Sequence, residues 1–505
     1  MLKREFTRLV VLIILVIGFS LMVGMGYSEE YLEEVSSNRI IEEIKEGKDV
    51  EYYHVKIVDD LDLREINSVV QSSIDIIDCD IQGILHLEDV IFEGPVSFSD
   101  STFVTMALLS GAQFNDSADF SYVNFDDTVF SDSAVFRGEA LFTAVNFGRD
   151  AWFSEAEFHK NCDFNFTRFS REHVSFDYAK FFENAYFEDA EFGRWTNFYG
   201  ANFSGDADFL LATFPGRSFI ANVWFGQDAK FASVEFGSFA EFEDSHFEGN
   251  FLLYGSTISY MKLNGTTFGE NSKIHLNNTD IAGFIMPWET IKDHLVFRDE
   301  VYMGLVENYK HLGWFQGADS CYYHYRRLGQ VQKEMGWSKA LDYLAWISCG
   351  YGVRPDYTAL WSLLIVLISG FIFYLGRGLL QYERPEERQI ELGGEALVSK
   401  TRGPGRFGEP DKINEPSRIE NPAGISEMPA TIEGQHSAEV ATELTIPEYP
   451  TLGEAMYFSS LVFIAQAPAD YLALGRFKYL VILEGILGWL MLALFLVALG
   501  NIMIR

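Results

Sequence analysis

The residues best placed to do chemistry sit near the C-terminus. Gln466, Ala467, Pro468, Ala469 and Asp470 form a short turn between an apolar stretch at Ala455–Ala467 and a longer one at Tyr479–Ile504. Irregular backbone at membrane depth survives only where it lines a cavity or is buried in protein, so such a turn can offer carbonyl and side-chain oxygens to a cation. Glu484 is the one carboxylate inside the longer stretch. A carboxylate there is costly unless it faces a cavity or a partner. It also lies about one to two turns from the start of that stretch, beside Arg476 and Lys478, and so within reach of the interface. A structural tie is the simpler role than ion coordination, with the Tyr457 hydroxyl as its expected partner. Gly485 and Gly488 lie about one turn apart and suit close helix packing or a bend, packing being the simpler.

Elsewhere no catalytic set emerges. His54, His86, His159, His173 and His246 are scattered without metal-ligand spacing. Cys79, Cys162, Cys321 and Cys349 form no CxxC pair, so neither a zinc site nor a disulfide framework is indicated. There is no phosphate loop or nucleophile elbow, and an enzyme is not expected. The formal charge of −35 argues against nucleic-acid binding, which needs a positive surface. No cofactor or metal is implied.

Three apolar stretches must position the turn. Leu9–Met25 follows Lys3, Arg4 and Arg8 and reads as a signal peptide or N-terminal anchor within residues 1–27. Tyr357–Leu375 is near the length that crosses a bilayer, and Tyr479–Ile504 exceeds it. The piece at 455–467 is too short to cross and suits a re-entrant or interfacial helix. Arg377, Arg384 and Arg388 follow the second stretch, and Arg476 and Lys478 precede the third. By the positive-inside rule the loop between them is internal, and the residues after the first stretch are external. Sequons at Asn115, Asn165, Asn202, Asn264 and Asn277 fit an external region. Residues 379–451, rich in Gly, Pro, Glu and Ser, read as a disordered acidic linker.

The region before these stretches has its own rhythm. From about Phe98 to Phe247 a Phe recurs every five or six residues, usually two places after Ala, Val, Thr, Ser or Cys. Phe142, Phe147, Phe153, Phe158, Phe164 and Phe169 step by 5, 6, 5, 6, 5; after a slip near Phe176 the beat resumes at Phe187, Phe192, Phe198, Phe203, Phe209 and Phe214. Neither helical nor simple strand periodicity explains this, and a short fixed repeat implies a solenoid whose units bury their apolar residues by stacking. Residues two apart in extended chain share a face, so the small residue and the Phe point inward together. Four faces of roughly 5.5 residues would close a coil of about 22, with coils about 4.8 Å apart. A Phe-rich sandwich is set aside, because turn signals do not fall every 8–12 residues.

These units resemble the pentapeptide-repeat family, in which a small residue precedes a central Leu or Phe by two places. The resemblance implies a right-handed quadrilateral β-helix, although an extra residue in about every second unit departs from a strict five. The run IIEEIKEGKDVEYYHVKIVDDLDL from Ile40 resembles the segment that opens such solenoids, with a helix ended by Gly47 covering the open end. Some soluble family members mimic DNA, but the apolar stretches here argue for another use. GEAMYFSSLVFIA and KYLVILEGILGWLMLALFLVALGN resemble the pore and inner helices of two-transmembrane, potassium-channel-like proteins. NYKHLGWFQGADSCYYHYRRLG followed by CGYGVRP resembles the connector that joins repeats to such modules in prokaryotic membrane proteins. Potassium selectivity is not implied, since the turn at 466–470 lacks the Thr-x-Gly-Tyr-Gly carbonyl ladder and contains a Pro. Gly350-Tyr351-Gly352 imitates that filter, yet no outer membrane helix precedes it, and it reads as a glycine-rich joint.

The expected fold class is therefore mainly β plus membrane α. It comprises a helical cap at 28–50, the solenoid at 51–285, a helical connector at 286–354, and a first pore-module helix at 355–378. After the linker come a re-entrant helix and turn at 452–478 and a second membrane helix at 479–505. The connector aromatics Tyr302, Tyr309, Trp314, Tyr322, Tyr323 and Trp337 are expected to pack on the last coil, and Arg326 and Arg327 to lie at a surface or interface. The first functional reading is an ion-channel module in a homo-tetramer, in contact with lipid and passing monovalent cations. The alternative is a non-conducting surface scaffold whose acidic solenoid binds a protein partner.

Overall fold

The computed structural model describes residues 32–66, 69–169, 172–381, 449–466, 468 and 470–503. The signal or anchor at 1–27 and residues 382–448 of the linker lie outside the described residues. The chain forms two compact units, one reaching to Trp346 and the other from Ile347 to Asn501.

The first unit is a β-solenoid of about 11 coils. Two-residue strands stack in parallel into four sheets of 7, 11, 13 and 10 strands, one per side. Ala118 pairs with Ala140 and Ala140 with Cys162, a step of 22 residues. The slip near Phe176 is a longer coil, in which Ala151 pairs with Val174. Inside, the Phe rings pile into columns: Phe120, Phe142, Phe164, Phe187 and Phe209 stack at 5.1, 4.7, 5.1 and 4.8 Å, with interplanar angles of at most 6°. Phe147, Phe153, Phe158, Phe192, Phe198, Phe203 and Phe214 are likewise buried. A small residue two places earlier leaves room for those rings.

The alternation of five and six has a backbone cause. One kind of corner is a tight β-turn: Val145 N–H donates to Phe142 O at 3.4 Å, with Ala144 at φ 57°. A left-handed residue recurs at Glu155, Phe166, Tyr178 and Asp189, as a type II turn requires at its third position. The other kind, between Phe147 and Ala151, takes one more linking residue and none with positive φ. Tight corners advance the chain by five residues and open ones by six. Several inward Ser and Thr bond back to the column itself, as where Thr167 Oγ1 donates to Phe142 O at 2.6 Å, although Ser131 and Thr196 do not.

Both ends are closed. Helix α1 (Ser37–Lys45) turns Ile40, Ile41 and Ile44 into the core and ends at Gly47, φ 74°. After the short α2 (Trp288–Ile291), α3 (Asp299–His311) packs Val301, Tyr302, Leu305 and Tyr309 into the same core. Asn308 imitates a further strand: its Oδ1 accepts from Phe284 N at 2.9 Å and its Nδ2 donates to Phe284 O at 2.7 Å. Helices α4 (Phe315–Gln332) and α5 (Trp337–Cys349) follow. Tyr302 and Tyr309 are in the core and Trp314 lies at its edge, but Trp337 does not pack on the coil at all, being 87% exposed.

The second unit holds α6 (Pro355–Leu375), α7 (Leu452–Phe463) and α8 (Phe477–Met503). Both α6 and α8 are long and apolar enough to cross a membrane. Leu379–Gln381 pairs antiparallel with Tyr471–Ala473. Gly350, Tyr351 and Gly352 make a left-handed turn before α6, with φ of 54°, 59° and 83°.

Two phenylalanines two residues apart separate ring stacking from simple apolarity. Phe164→Ala should lower solenoid stability by roughly 3–5 kcal/mol. Phe166→Asn, at an exposed left-handed corner, should change it by about 0.5 kcal/mol or less. Denaturant unfolding of the purified chain reads both, and equal losses would contradict the column.

Candidate functional site: a buried carboxyl among three helices

Helix α7 begins at a capping box. Thr451 N donates to Glu454 Oε2 at 2.7 Å, and Glu454 N donates to Thr451 Oγ1 at 3.4 Å, which satisfies helix-end N–H groups. It stops at Phe463 because Ala465 turns left-handed, φ 59°, and Gln466 N closes on Leu461 O at 2.8 Å. The chain then returns along the helix it has just left: the Tyr471 ring meets Phe458 at 6.5 Å, and its hydroxyl interacts with Glu454 in the first turn of α7.

At the middle of α7 lies the one carboxylate of α8. Glu484 is 1% exposed, and its Oε1 is hydrogen-bonded to Ser459 Oγ. Ser459 Oγ is also 2.9 Å from the Val366 carbonyl on α6. A hydroxyl has one proton and can donate to only one of these at a time. Ser369, buried on α6, sits beside the carboxyl without completing a hydrogen bond of normal geometry, so Oε2 has no partner among the described residues. Three helices thus converge on one carboxyl through a single serine.

Tyr457 is not the partner expected for Glu484: it is 54% exposed. Residues two apart on a helix diverge by about 200°, so Tyr457 and Ser459 cannot face the same neighbour. The signal for Ser459 was a small hydroxyl within an apolar helix, which the sequence offers equally at Ser460.

Glycines set how closely α7 is held. A Cβ on Gly488 would fall 1.9 Å from Phe463 O, and one on Gly370 would meet Met456 Sδ at 2.5 Å. Gly485 is less constrained, with Val462 O at 3.9 Å. Phe373 packs edge-on against Phe458 at 5.1 Å. Of the turn residues, Gln466 and Asp470 are exposed and Pro468 is half-buried, while Ala467 and Ala469 lie outside the described residues.

The solenoid carries a recess of its own. On one face Trp152 is followed, coil by coil, by Ser175, Asn197 and Phe219. The two small polar residues leave a notch of about 390 Å³ that Trp195, Tyr199 and His173 also wall. Asn197 Nδ2 donates to Ser175 Oγ at 3.2 Å across its floor. Arg217 lies over Trp195 and Phe219 and is paired with Glu241. Cysteine chemistry is not poised in this unit: burial pushes the Cys162 thiol well above its ordinary value and that of Cys321 to about 12, and a protonated, inaccessible thiol is a poor nucleophile.

A family model described as pentapeptide repeats, in nine copies, matches residues 87–134. The chain carries pentapeptide repeats there, in a β-solenoid that continues well beyond them. No curated protein and no solved structure matches the chain.

If the carboxyl is a structural tie, its shape matters more than its charge. Glu484→Gln should leave the thermal stability of the full chain in detergent unchanged or raised. Ser459→Ala should cost about 1–3 kcal/mol and Glu484→Ala about 2–4 kcal/mol. Tyr457→Phe should shift it by about 0.5 kcal/mol at most. A severe loss in the Gln variant would show that the charge itself is needed.

Proposed function

We propose that this is a membrane-anchored pentapeptide-repeat protein whose α6–α7–α8 unit is a pore-type module that passes ions as a homo-tetramer. The observation that carries the reading is the path of residues 452–473. A short helix packs on both membrane-length helices and ends at the left-handed Ala465, and Tyr471 lies back beside its first turn. Such a path presents Gln466 and Asp470 at a turn where symmetry-related copies could line an axis. Ser459, Glu484 and Gly488 hold the short helix in place, a positioning role that leaves ion contact to the turn. Without a glycine carbonyl ladder, selectivity would rest on side chains such as Asp470 and favour monovalent cations only weakly over one another. The solenoid would stand outside the cell, following the charge distribution around the apolar stretches.

The notch at Trp152, Trp195 and Phe219 favours a second reading, a scaffold that recruits a partner to the membrane and conducts nothing. Planar-bilayer recordings on the purified full chain separate the two. The channel reading expects unitary currents that a thiol reagent blocks in Gln466→Cys and that shrink several-fold in Asp470→Asn. Intact tetramers that stay silent would overturn it in favour of the scaffold. Thiol labelling of Tyr122→Cys in intact cells reports which side the solenoid occupies.

A further inference from the structure

Helix α5 has two faces of opposite character. Its inner face is tied to α4: Asp342 Oδ1 accepts from Arg326 Nη2 at 2.9 Å, and Trp346 Nε1 donates to Tyr323 OH at 2.7 Å. Arg327 lies over the Trp346 ring at 3.8 Å. The opposite face is a stripe at helical spacing, Trp337, Leu341 and Leu344, with Leu341 and Leu344 more than 60% exposed and Trp337 at 87%. Met335, just before the helix, is 88% exposed. About 100° per residue places these three side chains within one sector, roughly 160° from Asp342 and Trp346. A water-facing helix of a folded unit does not leave such a stripe uncovered without a use.

What covers it can be read from its surroundings. Between 326 and 354 the sequence carries Arg326, Arg327, Lys333, Lys339 and Arg354 against Glu334 and Asp342, an excess of cations on a chain of formal charge −35. These cations lie on the face away from the stripe: Lys333 and Arg326 both bind Asp342, Arg327 covers Trp346, and Lys339 Nζ donates to Lys333 O at 2.8 Å. Membrane-length helix α6 begins at Pro355, a few residues after α5 ends at Cys349. An exposed apolar stripe led by Trp, opposite a face rich in Lys and Arg and continuous in sequence with a membrane-length helix, has the composition of a helix that lies in the lipid interface.

We infer that α5 is an interfacial helix. Its Trp337–Leu341–Leu344 stripe beds into the headgroup and acyl boundary, and its cation-rich opposite face stays toward water and protein. The occupant is the bilayer itself, because the stripe belongs to the helix that leads directly into a membrane-length span. The inference rests on α6 spanning the membrane and is independent of ion conduction.

Spin labels at Trp337→Cys, Leu341→Cys and Leu344→Cys in the full chain test it. The native cysteines, all buried, stay in place, and the sites are exposed, so folding is not at risk. The protein is reconstituted in phosphatidylcholine–phosphatidylglycerol vesicles, and collisions with oxygen and with a water-soluble nickel chelate are compared. Stripe labels should show an oxygen-to-nickel ratio several-fold above that of Ser338→Cys on the flank. A label at Leu367→Cys on α6 is the control for the membrane reading. Lipid exposure at 367 with water exposure at 337, 341 and 344 would overturn the interfacial helix alone. Water exposure at 367 would overturn both. Stripe labels shielded from both reagents would mean that protein, such as a second copy, covers the face, and would overturn the lipid assignment.

Discussion

The first unit depends on one contact, a Phe ring laid on the ring of the next coil. Parallel rings about 5 Å apart recur up each column, and the backbone spacing between coils is nearly the same distance. The rings therefore stack without tilting the strands. Neighbouring columns meet edge-on, as at Phe136 and Phe142, 5.7 Å and 82°, which is the other favoured arrangement of aromatic quadrupoles. An aliphatic side chain at these positions would fill the volume but not fix the angle between faces.

The same geometry accounts for much of the acidity. One corner carries an unbroken run of Asn and Asp, each accepting from a backbone N–H one coil further on. Asp206 N donates to Asn184 Oδ1 at 2.9 Å, Asp228 N to Asp206 Oδ1 at 3.2 Å, Asn250 N to Asp228 Oδ1 at 2.9 Å, and Lys273 N to Asn250 Oδ1 at 3.0 Å. Corner N–H groups lie outside the ladders and need acceptors, and Asp and Asn supply them. Lys230 Nζ, 2.8 Å from Asp206 and 3.4 Å from Asp208, relieves the crowding of carboxylates along this line. A negative surface here has a structural origin before any partner is invoked.

How much was legible follows from what is periodic. The solenoid could be read because every coil repeats the same demand, so Phe142, Phe164 and Phe187 announce one another. The left-handed corners could not be named in advance, since Ala144, Glu155 and Phe166 share no chemistry and glycine occupies few of these positions. Asn308, which completes the last coil, is a single residue in a helix and gives no pattern. In the second unit the apolar runs announce α6 and α8, but apolarity alone leaves the face of each helix open. That is why the sequence points to Tyr457 rather than Ser459 as the partner of Glu484; in the first unit the same ambiguity makes Trp337 read as core when it belongs to the outer face of α5.

The two units also differ in how a local change spreads. In the solenoid a side chain meets only the coils above and below it, so a lost ring is a local defect and its neighbours retain their own partners. The three helices of the second unit share their contacts. Ser459 reaches both Val366 and Glu484, and the backbone of α7 lies against Gly370 on one side and Gly488 on the other. Moving α7 by the width of one methyl group would break contacts to both long helices together. The return strand would move too, since Tyr471 leans on Phe458 and Glu454. Whatever Gln466 and Asp470 do, the helix that leads to them is positioned by small residues at its contacts with α6 and α8.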